Sequence, residues 1–557
     1  MKTRNKYIRI IYYLCLLICF MVHLKGFGLE NFRVFGNETW FDFAPITIFT
    51  GTNSSGKSSV NKALLLIKEN FNNTTNVEFK VNENSFTQLG RLNNIKNRKS
   101  KSIKFQQKIW NKSFKIAEYE FTEKEFYVEY TLNEEEAIPI QNERNLFLKE
   151  FKIWDENDWV LKLNFDYDSK KGVDEEMNIT SFLDVNFGCT YSINYNYLWK
   201  LFNLQDSEQN SNSKLFIDIY NVLIEDKFTI KQLQKIESKL FSSKFGFSNM
   251  FPIENDYNFI EDITGSLFGN KNWYDQFFIS ENTIYEKFIS ILKEEFENVN
   301  DLSEESYIDD LFTDEGKVFN KRLPFLLDEF INTIKKISNN IFYIKLSNVN
   351  INRLHSLGNQ ENNFYNVISR FNTDLLNINT KKSSFYNKWS KKLDIKIDIQ
   401  DIEGVAYNIL VNNNNIADLG AGITKLVDIL LNIFLNDNCI IIIEEPESNL
   451  HPALQSKLAD MFAEASKLFN IQFIIETHSE YLIRRFQYLT AKKEIKPKDT
   501  IIHYLFDPKS KHVKMTKEQL RTIRIQADGR LDKEFGTGFF DESTKLIESI
   551  WNIASRN

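Results

Sequence analysis

Cysteine is scarce in this sequence. Cys15, Cys19, Cys189 and Cys439 are the whole complement and form no metal-site or disulfide pattern, which excludes a disulfide-stapled scaffold and fits a reducing compartment. Net positive charge is lacking as well: the formal charge is −7 and the pI about 5.7. A chain of that balance does not bind nucleic acid with its surface as a whole, so any DNA contact needs a local basic patch. Lys96, Arg98, Lys99, Lys101 and Lys104 form one such run, whose plain reading is a solvated loop. Sustained heptads and internal repeats are also absent, which excludes a long coiled-coil arm and a solenoid.

What is present points to packed structure. Aromatic residues make up 14% of the chain, with 49 Phe, too many for a disordered polymer. At 557 residues, two or three folding units are expected, each able to bury its own core.

Pro45–Thr50 is a short β-rich run. It leads at once into Gly51-Thr52-Asn53-Ser54-Ser55-Gly56-Lys57-Ser58-Ser59 and then into the apolar, helix-like Val60–Ile67. The segment fits G-x-x-x-x-G-K-[ST], and strand, loop, helix is the context that motif requires. Glycines let successive backbone N–H groups turn inward on phosphate oxygens, and the helix N-terminus adds its dipole. Lys57 is expected to neutralise the β- and γ-phosphates of ATP, and the Ser58 hydroxyl to ligate Mg2+. The expected nucleotide-binding set is Gly51, Asn53, Ser54, Ser55, Gly56, Lys57, Ser58 and Ser59.

Far downstream, Cys439–Ile443 is an apolar run ending in Glu444 and Glu445, with Pro446 to stop the strand. It reads as a buried parallel strand delivering acids to its C-terminal end, the edge where ligands sit in open α/β sheets. One acid there can hold Mg2+ and the next can polarise an attacking water. A hydrophobic strand, two acids and then Pro446-Glu447-Ser448-Asn449-Leu450-His451-Pro452 resemble the Walker B segment of RecF-like and OLD-type (overcoming lysogenization defect) ATPases, of the ABC/SMC/RecF-like group. The resemblance implies the metal-side position for Glu444 and the catalytic-base position for Glu445. Glu444 departs from the commoner Asp, and its extra methylene implies outer-sphere contact with the metal.

Two further segments resemble parts of the same family. Ile471–Glu476 followed by Thr477-His478-Ser479 is similar to the switch-histidine strand, which implies that His478 reaches the γ-phosphate. Ala417–Lys425, opening an apolar helix over Leu426–Phe434, resembles a degenerate ABC signature, with Gly420, Gly422 and Thr424 in the nucleotide-contacting places. In that family the signature of one head completes the ATP site of a second head, so the resemblance implies a nucleotide-dependent homodimer. It also implies a glutamine near Mg2+, for which Gln88 is the candidate beside Ser58 and Glu444.

The expected fold is therefore α/β: a P-loop NTPase with an ABC-type ATPase head, a large α+β insertion between the P-loop (Walker A) and the signature and Walker B segments, and a short C-terminal domain. The expected division is an ATPase N-lobe over 21–115, an inserted arm or lid over 116–340, an ATPase C-lobe over 341–490 and a tail over 491–557. Within the insertion, Phe114–Tyr130 and Leu146–Phe165 are β-like, while Thr283–Phe296 and Pro324–Ile337 read as amphipathic helices. Gln205–Ser213 and Asn298–Asp310 read as polar loops. Tyr343–Arg353 is expected to re-enter the ATPase sheet. In the tail, Ile501–Phe506 reads as a strand, and with Ile523–Leu531 and Gly538–Glu542 it resembles a C-terminal domain of unknown function found on one branch of prokaryotic AAA-family ATPases. OLD-type relatives carry a Toprim nuclease instead, which needs a D-x-D pair for two metals. The tail holds Asp528, Asp532, Asp541 and Glu542 but no D-x-D, so no nuclease is expected.

The start of the chain is an apolar stretch, Tyr7–Leu24, behind the basic Met1–Arg9. Taken alone it would be a signal peptide or a membrane anchor. The flanking charges would then hold the N-terminus inside and place an ATPase outside, away from ATP. The expectation is translation from Met21, with residues 1–20 an apolar extension and the protein cytoplasmic. The leading functional expectation is an ATP-hydrolysing molecular switch serving DNA repair or anti-phage defence with a separately encoded effector, DNA being left open as a partner. The alternatives are a nucleotide-gated scaffold with little turnover and a membrane-anchored ATPase.

Overall fold

The computed structural model describes residues 23–72, 78–79, 95–97, 100, 102–111, 114–116, 119–121, 124–136, 144–156, 159–167, 187–193, 334–344, 355–356, 380–402, 406–536 and 538–554. Contacts gather the chain into two units, one of residues 23–65 and 337–557 and one within residues 66–336. The first opens with β1 (His23–Glu30) and β2 (Thr39–Asp42), an antiparallel pair with Gly26 opposite Asp42 and Leu29 opposite Thr39. β3 (Ile46–Gly51) is buried along its whole length and runs through the Gly-rich loop into α1 (Lys57–Asn72).

The second unit is built of strands among its described residues. They are β4 (Glu78–Phe79), β5 (Ser102–Asn111), β6 (Phe114–Ile116), β7 (Tyr119–Phe121), β8 (Lys124–Glu136), β9 (Arg144–Trp154), β10 (Trp159–Tyr167) and β11 (Phe187–Ile193). β5, β8, β9, β10 and β11 pair antiparallel in that order. Their sequences alternate as a half-buried sheet demands: Phe126, Val128, Tyr130 and Leu132 of β8 face inward. Opposite a register shift at Thr131/Leu132, the buried set of β9 changes phase from Leu146 and Leu148 to Phe151 and Ile153. The two β-like stretches read from the sequence fall on these strands. The expected helix Thr283–Phe296 and the loops Gln205–Ser213 and Asn298–Asp310 lie outside the described residues, as does most of Pro324–Ile337, of which 334–337 are helical.

The chain then returns to the first unit with β12 (Ile341–Ile344), β13 (His355–Ser356), α2 (Thr380–Leu393), β14 (Ile397–Ile402), β15 (Ala406–Val411) and β16 (Asn414–Asn415). α3 (Ala421–Leu435), β17 (Ile440–Glu444), α4 (Pro452–Phe469), β18 (Gln472–Glu476) and α5 (Glu480–Ala491) follow. The end of the chain supplies β19 (Thr500–Leu505), α6 (Lys511–Thr516), β20 (Leu520–Arg524) and α7 (Glu542–Ala554). The central sheet has the order β12-β17-β18-β3-β19-β20, parallel except for β20. A sheet covered on both faces needs strands that are apolar throughout, which is what Ile440–Ile443 and Phe473–Ile475 are. β12 overlaps the expected re-entry Tyr343–Arg353 at Tyr343 and Ile344, and residues 345–353 lie outside the described residues. The tail's β19 and β20 extend that same sheet.

α3 is buried on almost every side, with Leu426, Val427, Ile429, Leu430, Leu431, Ile433 and Phe434 inside. Each such side chain contributes about 1.5–3 kcal/mol relative to exposure. Gln472 ties the start of β18 to its surroundings: it accepts from Leu24 N and donates to Leu24 O and Ala44 O at 2.7 and 3.1 Å. A buried amide with its partners made is stabilising, whereas an orphaned one costs about 1–3 kcal/mol.

His503 on β19 is fully buried, stacked on Phe49 and edge-on to Phe41, with Nε2 2.7 Å from the Asp42 carbonyl oxygen. Burial pushes its pKa down to about 4 against the pull of Asp42. The unfolded chain therefore binds a proton at His503 that the folded chain refuses, so this residue's contribution is intact above the unfolded value near 6.5 and is lost as pH falls towards 4. The wild-type stability is expected to fall between pH 6.5 and 4 by about 3 kcal/mol more than that of His503→Gln. Denaturant midpoints across that range check it; parallel decline of the two proteins would remove the assignment.

Candidate functional site

The Gly-rich loop is shaped by backbone that only glycine tolerates well. Gly51 has φ +133 and Gly56 φ +106, and a Cβ on Gly56 would stand 2.4 Å from Val34 Cγ2. Thr52 N donates to Leu505 O at 3.2 Å, fastening the loop to β19. Lys57 is buried, and its Nζ donates to the carbonyls of Gly51 (3.3 Å) and Thr52 (2.8 Å). Burial lowers its pKa, while Glu476 and Glu445 raise it. Asn53 and Ser54 are exposed, Ser54 with φ 60, and Ser59 is buried with its N–H on Gly56 O. Ser55 is fully buried, and its Oγ has no hydrogen-bond partner. The loop is thus held open from outside, with a cation folded across it.

Sheet order brings the acids to it. β18 lies between the P-loop strand β3 and the acid-bearing β17, so Glu444 stands opposite Glu476 and Glu476 opposite Phe49. Ser58 Oγ donates to Glu476 Oε1 at 2.9 Å and Asn61 Nδ2 to Glu476 Oε2 at 3.3 Å. Burial, and then the neighbouring Glu444, push Glu476 up to about 7. Oε1 of Glu444 is buried without a hydrogen-bond partner. Burial and Glu444 together push the Tyr343 hydroxyl of β12 upward.

Beyond β17 the chain leaves the sheet sharply. Glu445 is exposed, has φ 45, and donates its N–H to Glu476 O at 2.7 Å. Glu447 accepts from His478 N at 2.7 Å, joining the loop after β17 to the loop after β18. The His478 side chain is exposed, with its pKa lowered by partial burial and by Lys57, against Glu445. His451 and Ser479 cap α4 and α5, so these loops end on ordinary helix starts.

The signature-like segment forms the start of α3. Gly420 is its N-cap, exposed, with φ −66 and open space where a side chain would be. Gly422 is buried, and a Cβ there would lie 2.4 Å from Asn449 O, so this glycine permits contact with the turn after β17. Thr424 N donates to Gly420 O at 3.3 Å. Gln88 lies outside the described residues.

Sequence reasoning missed four residues at this site: Asn61, Lys425, Glu447 and Glu476. Asn61 stands three residues after Ser58 on a helix, a spacing that shares a face and was available as a signal. Glu447 was legible as part of the acid-rich turn, but not as the partner of His478. Glu476 depends on which strands neighbour which, and Lys425 on how α3 packs against the turn after β17, and no local pattern reveals either.

The donor set suits a hard cation. Ser58, Glu444 and Glu476 offer oxygen only, and among the described residues no three His, Cys, Asp or Glu form a metal cage by themselves. Mg2+ fits such a place, because it is held by one or two side-chain oxygens together with substrate phosphates. The unpartnered oxygens of Glu444 and Ser55 are spare acceptors in the same region.

The family of the AAA ATPase domain matches residues 23–483. The chain belongs to that family. A second family, described as a protein of unknown function (DUF3696), matches residues 495–550. The AAA-family head with a C-terminal domain of unknown function, expected from the motifs, is borne out by these two matches. ATP binding and ATPase chemistry belong to this AAA ATPase at the level of its family. Among solved structures it is similar to the Smc head domain with an extended coiled coil bound to the C-terminal domain of ScpA from Pyrococcus furiosus, at 14% identity over 95% of this chain and 99% of that one, with a TM-score of 0.34. It is also similar to the SMC head domain from Thermotoga maritima, at 11% identity over 87% and 94% with a TM-score of 0.29. A comparison with curated proteins finds no match.

Proposed function

We propose that this AAA ATPase is a nucleotide-driven switch that binds Mg·ATP in the Gly51–Ser59 loop, hydrolyses it with Glu445 as general base, and pairs with a second copy of itself while ATP is held. One observation carries the reading: Lys57 and Ser58 at the start of α1, Glu444 at the end of β17 with Glu445 just after it, and Glu476 at the end of β18 gather at the C-terminal edge of three neighbouring parallel strands. Lys57 leaves the Gly51 and Thr52 carbonyls for the phosphates, and the backbone N–H groups of Asn53 to Ser58 cradle them. Ser58 and Glu444 would hold Mg2+, which when bound would neutralise phosphate charge. His478 sits beside the same charges and is held nearer its neutral form by partial burial and then by Lys57.

Pairing is supported by the start of α3. Its N-cap Gly420 is exposed at the end of a 15-residue helix, where N–H groups and the dipole favour an anion from outside the molecule. The partners put forward are ATP, a second copy of this chain and a separately encoded effector, in the cytoplasm. No helix among the described residues is long and apolar enough to cross a membrane.

Lys57→Ala is expected to weaken ATP binding about 10–100-fold, the loss of a charge-assisted contact. Titration of a fluorescent ATP analogue into both proteins, with phosphate release measured alongside, tests it. Equal affinity in the two would place the nucleotide elsewhere and end this reading.

A further inference from the structure

We infer that Lys425 is a positioning residue for Glu445: from the second turn of α3 it holds the backbone of the catalytic turn and ties that turn to the helix start carrying Gly420. The inference rests on Glu445 as the base. Lys425 is 3% exposed, and its ammonium group donates to Glu444 O at 2.8 Å, to Glu445 O and to Ser448 Oγ at 3.0 Å. An ammonium group has three N–H donors, so every one is used, and on a single turn. A lysine that served only to fill the core would carry its charge towards water along its stem. This one is turned inward onto carbonyl oxygens.

The turn needs such a brace. Glu445 has φ 45, a left-handed conformation that an ordinary residue adopts only at a cost. Its N–H is fixed by Glu476 O at 2.7 Å, and its carbonyl accepts from Ser448 Oγ at 2.9 Å and from Lys425. With donor and acceptor both held, the Cα–Cβ direction of Glu445 is set. Burial pushes the pKa of the amine down to about 8, and the groups around it are those of the site: Glu447, Glu445 and Glu444, with Asp428 of α3, pull the other way. A second contact runs in parallel, since Gly422 of the same helix packs on Asn449 O of the same turn. α3 therefore meets the turn at Gly422 and at Lys425, a few residues from the exposed Gly420. Anything that moves the start of α3, such as a second copy seated on it, moves the carbonyl of Glu445 with it.

A positioning role and a merely structural one differ in kinetics. Misplacing a catalytic group by about 1 Å costs up to about 100-fold in rate without touching ground-state binding. Lys425→Met, made in the full chain, is expected to lower kcat by about tenfold or more while the affinity for a fluorescent ATP analogue stays within threefold. A kcat within twofold of wild type overturns the inference. So does a loss of affinity equal to the loss of rate, which is what a loosened fold produces. Should Lys425→Met not fold, Ser448→Ala removes one of the three acceptors and leaves the amine in place; it is expected to show the same split at about threefold in kcat. Unchanged kcat in that variant overturns the inference equally. A wild-type chain that binds ATP without releasing phosphate defeats the reading of Glu445 as base, and the two failures are thereby told apart.

Discussion

Glu445→Gln is expected to cut phosphate release by about 100–10,000-fold while ATP binding stays intact, so that ATP-loaded pairs of chains accumulate. The exchange keeps size and hydrogen-bonding shape and removes the ability to take a proton. It leaves alone everything that holds nucleotide: Lys57 reaches the Gly51 and Thr52 carbonyls and Ser58 reaches Glu476, none of them through the Glu445 side chain. The backbone of Glu445 is fixed by Glu476 O, by Ser448 and by Lys425, so the variant turn keeps its conformation. Single-turnover hydrolysis and native mass in Mg·ATP measure both halves. Unchanged turnover would move the base to another carboxylate, with Glu476 next in line. Lost turnover without a paired species would leave the ATPase and remove the dimer. Binding without turnover in the wild type would make this head a nucleotide-gated scaffold.

The Gly-rich loop and the acid-bearing strand were legible because their chemistry is local. A phosphate cradle needs consecutive N–H groups, so its residues are consecutive, and the strands and helices flanking both motifs lie within a few residues of where the hydrophobic runs placed them. Lateral order was not legible. β3, β17 and β18 are all short apolar runs, equally suited to any place in a doubly covered parallel sheet. Only pairing reveals that β18 stands between the other two, and with it that Glu476 takes the hydrogen bond of Ser58. The tail's place beside β3 was not legible for the same reason. The expected short C-terminal domain is matched over residues 495–550, and its first strand pairs parallel with β3 and lends Leu505 O to the P-loop.

Gly51 and Gly420 looked alike in sequence, each opening a nucleotide-binding segment, and substitution is expected to separate them. A Cβ on Gly51 would lie 2.1 Å from Leu505 O and 2.7 Å from Leu505 N, backbone atoms of β19 that no rotamer change can move. With φ +133 added, Gly51→Ala is expected to cost roughly 3–5 kcal/mol, through overpacking and a conformation that side chains avoid. The β3–β19 ladder has to shift, and the lip of the phosphate loop shifts with it. Gly420 is the opposite case. Its φ of −66 suits any residue and nothing stands within 4 Å, so Gly420→Ala is expected to cost about 1 kcal/mol or less, the difference between glycine and alanine at an N-cap. Its effect should fall instead on ATP-dependent pairing, because the added methyl group stands where the second copy's phosphates would approach. Urea midpoints and native mass in Mg·ATP separate the two: Gly51→Ala loses stability first, Gly420→Ala loses the paired species with its stability nearly unchanged. If Gly420→Ala pairs as the wild type does, the start of α3 is an ordinary helix end, and the composite site has to be sought on another face.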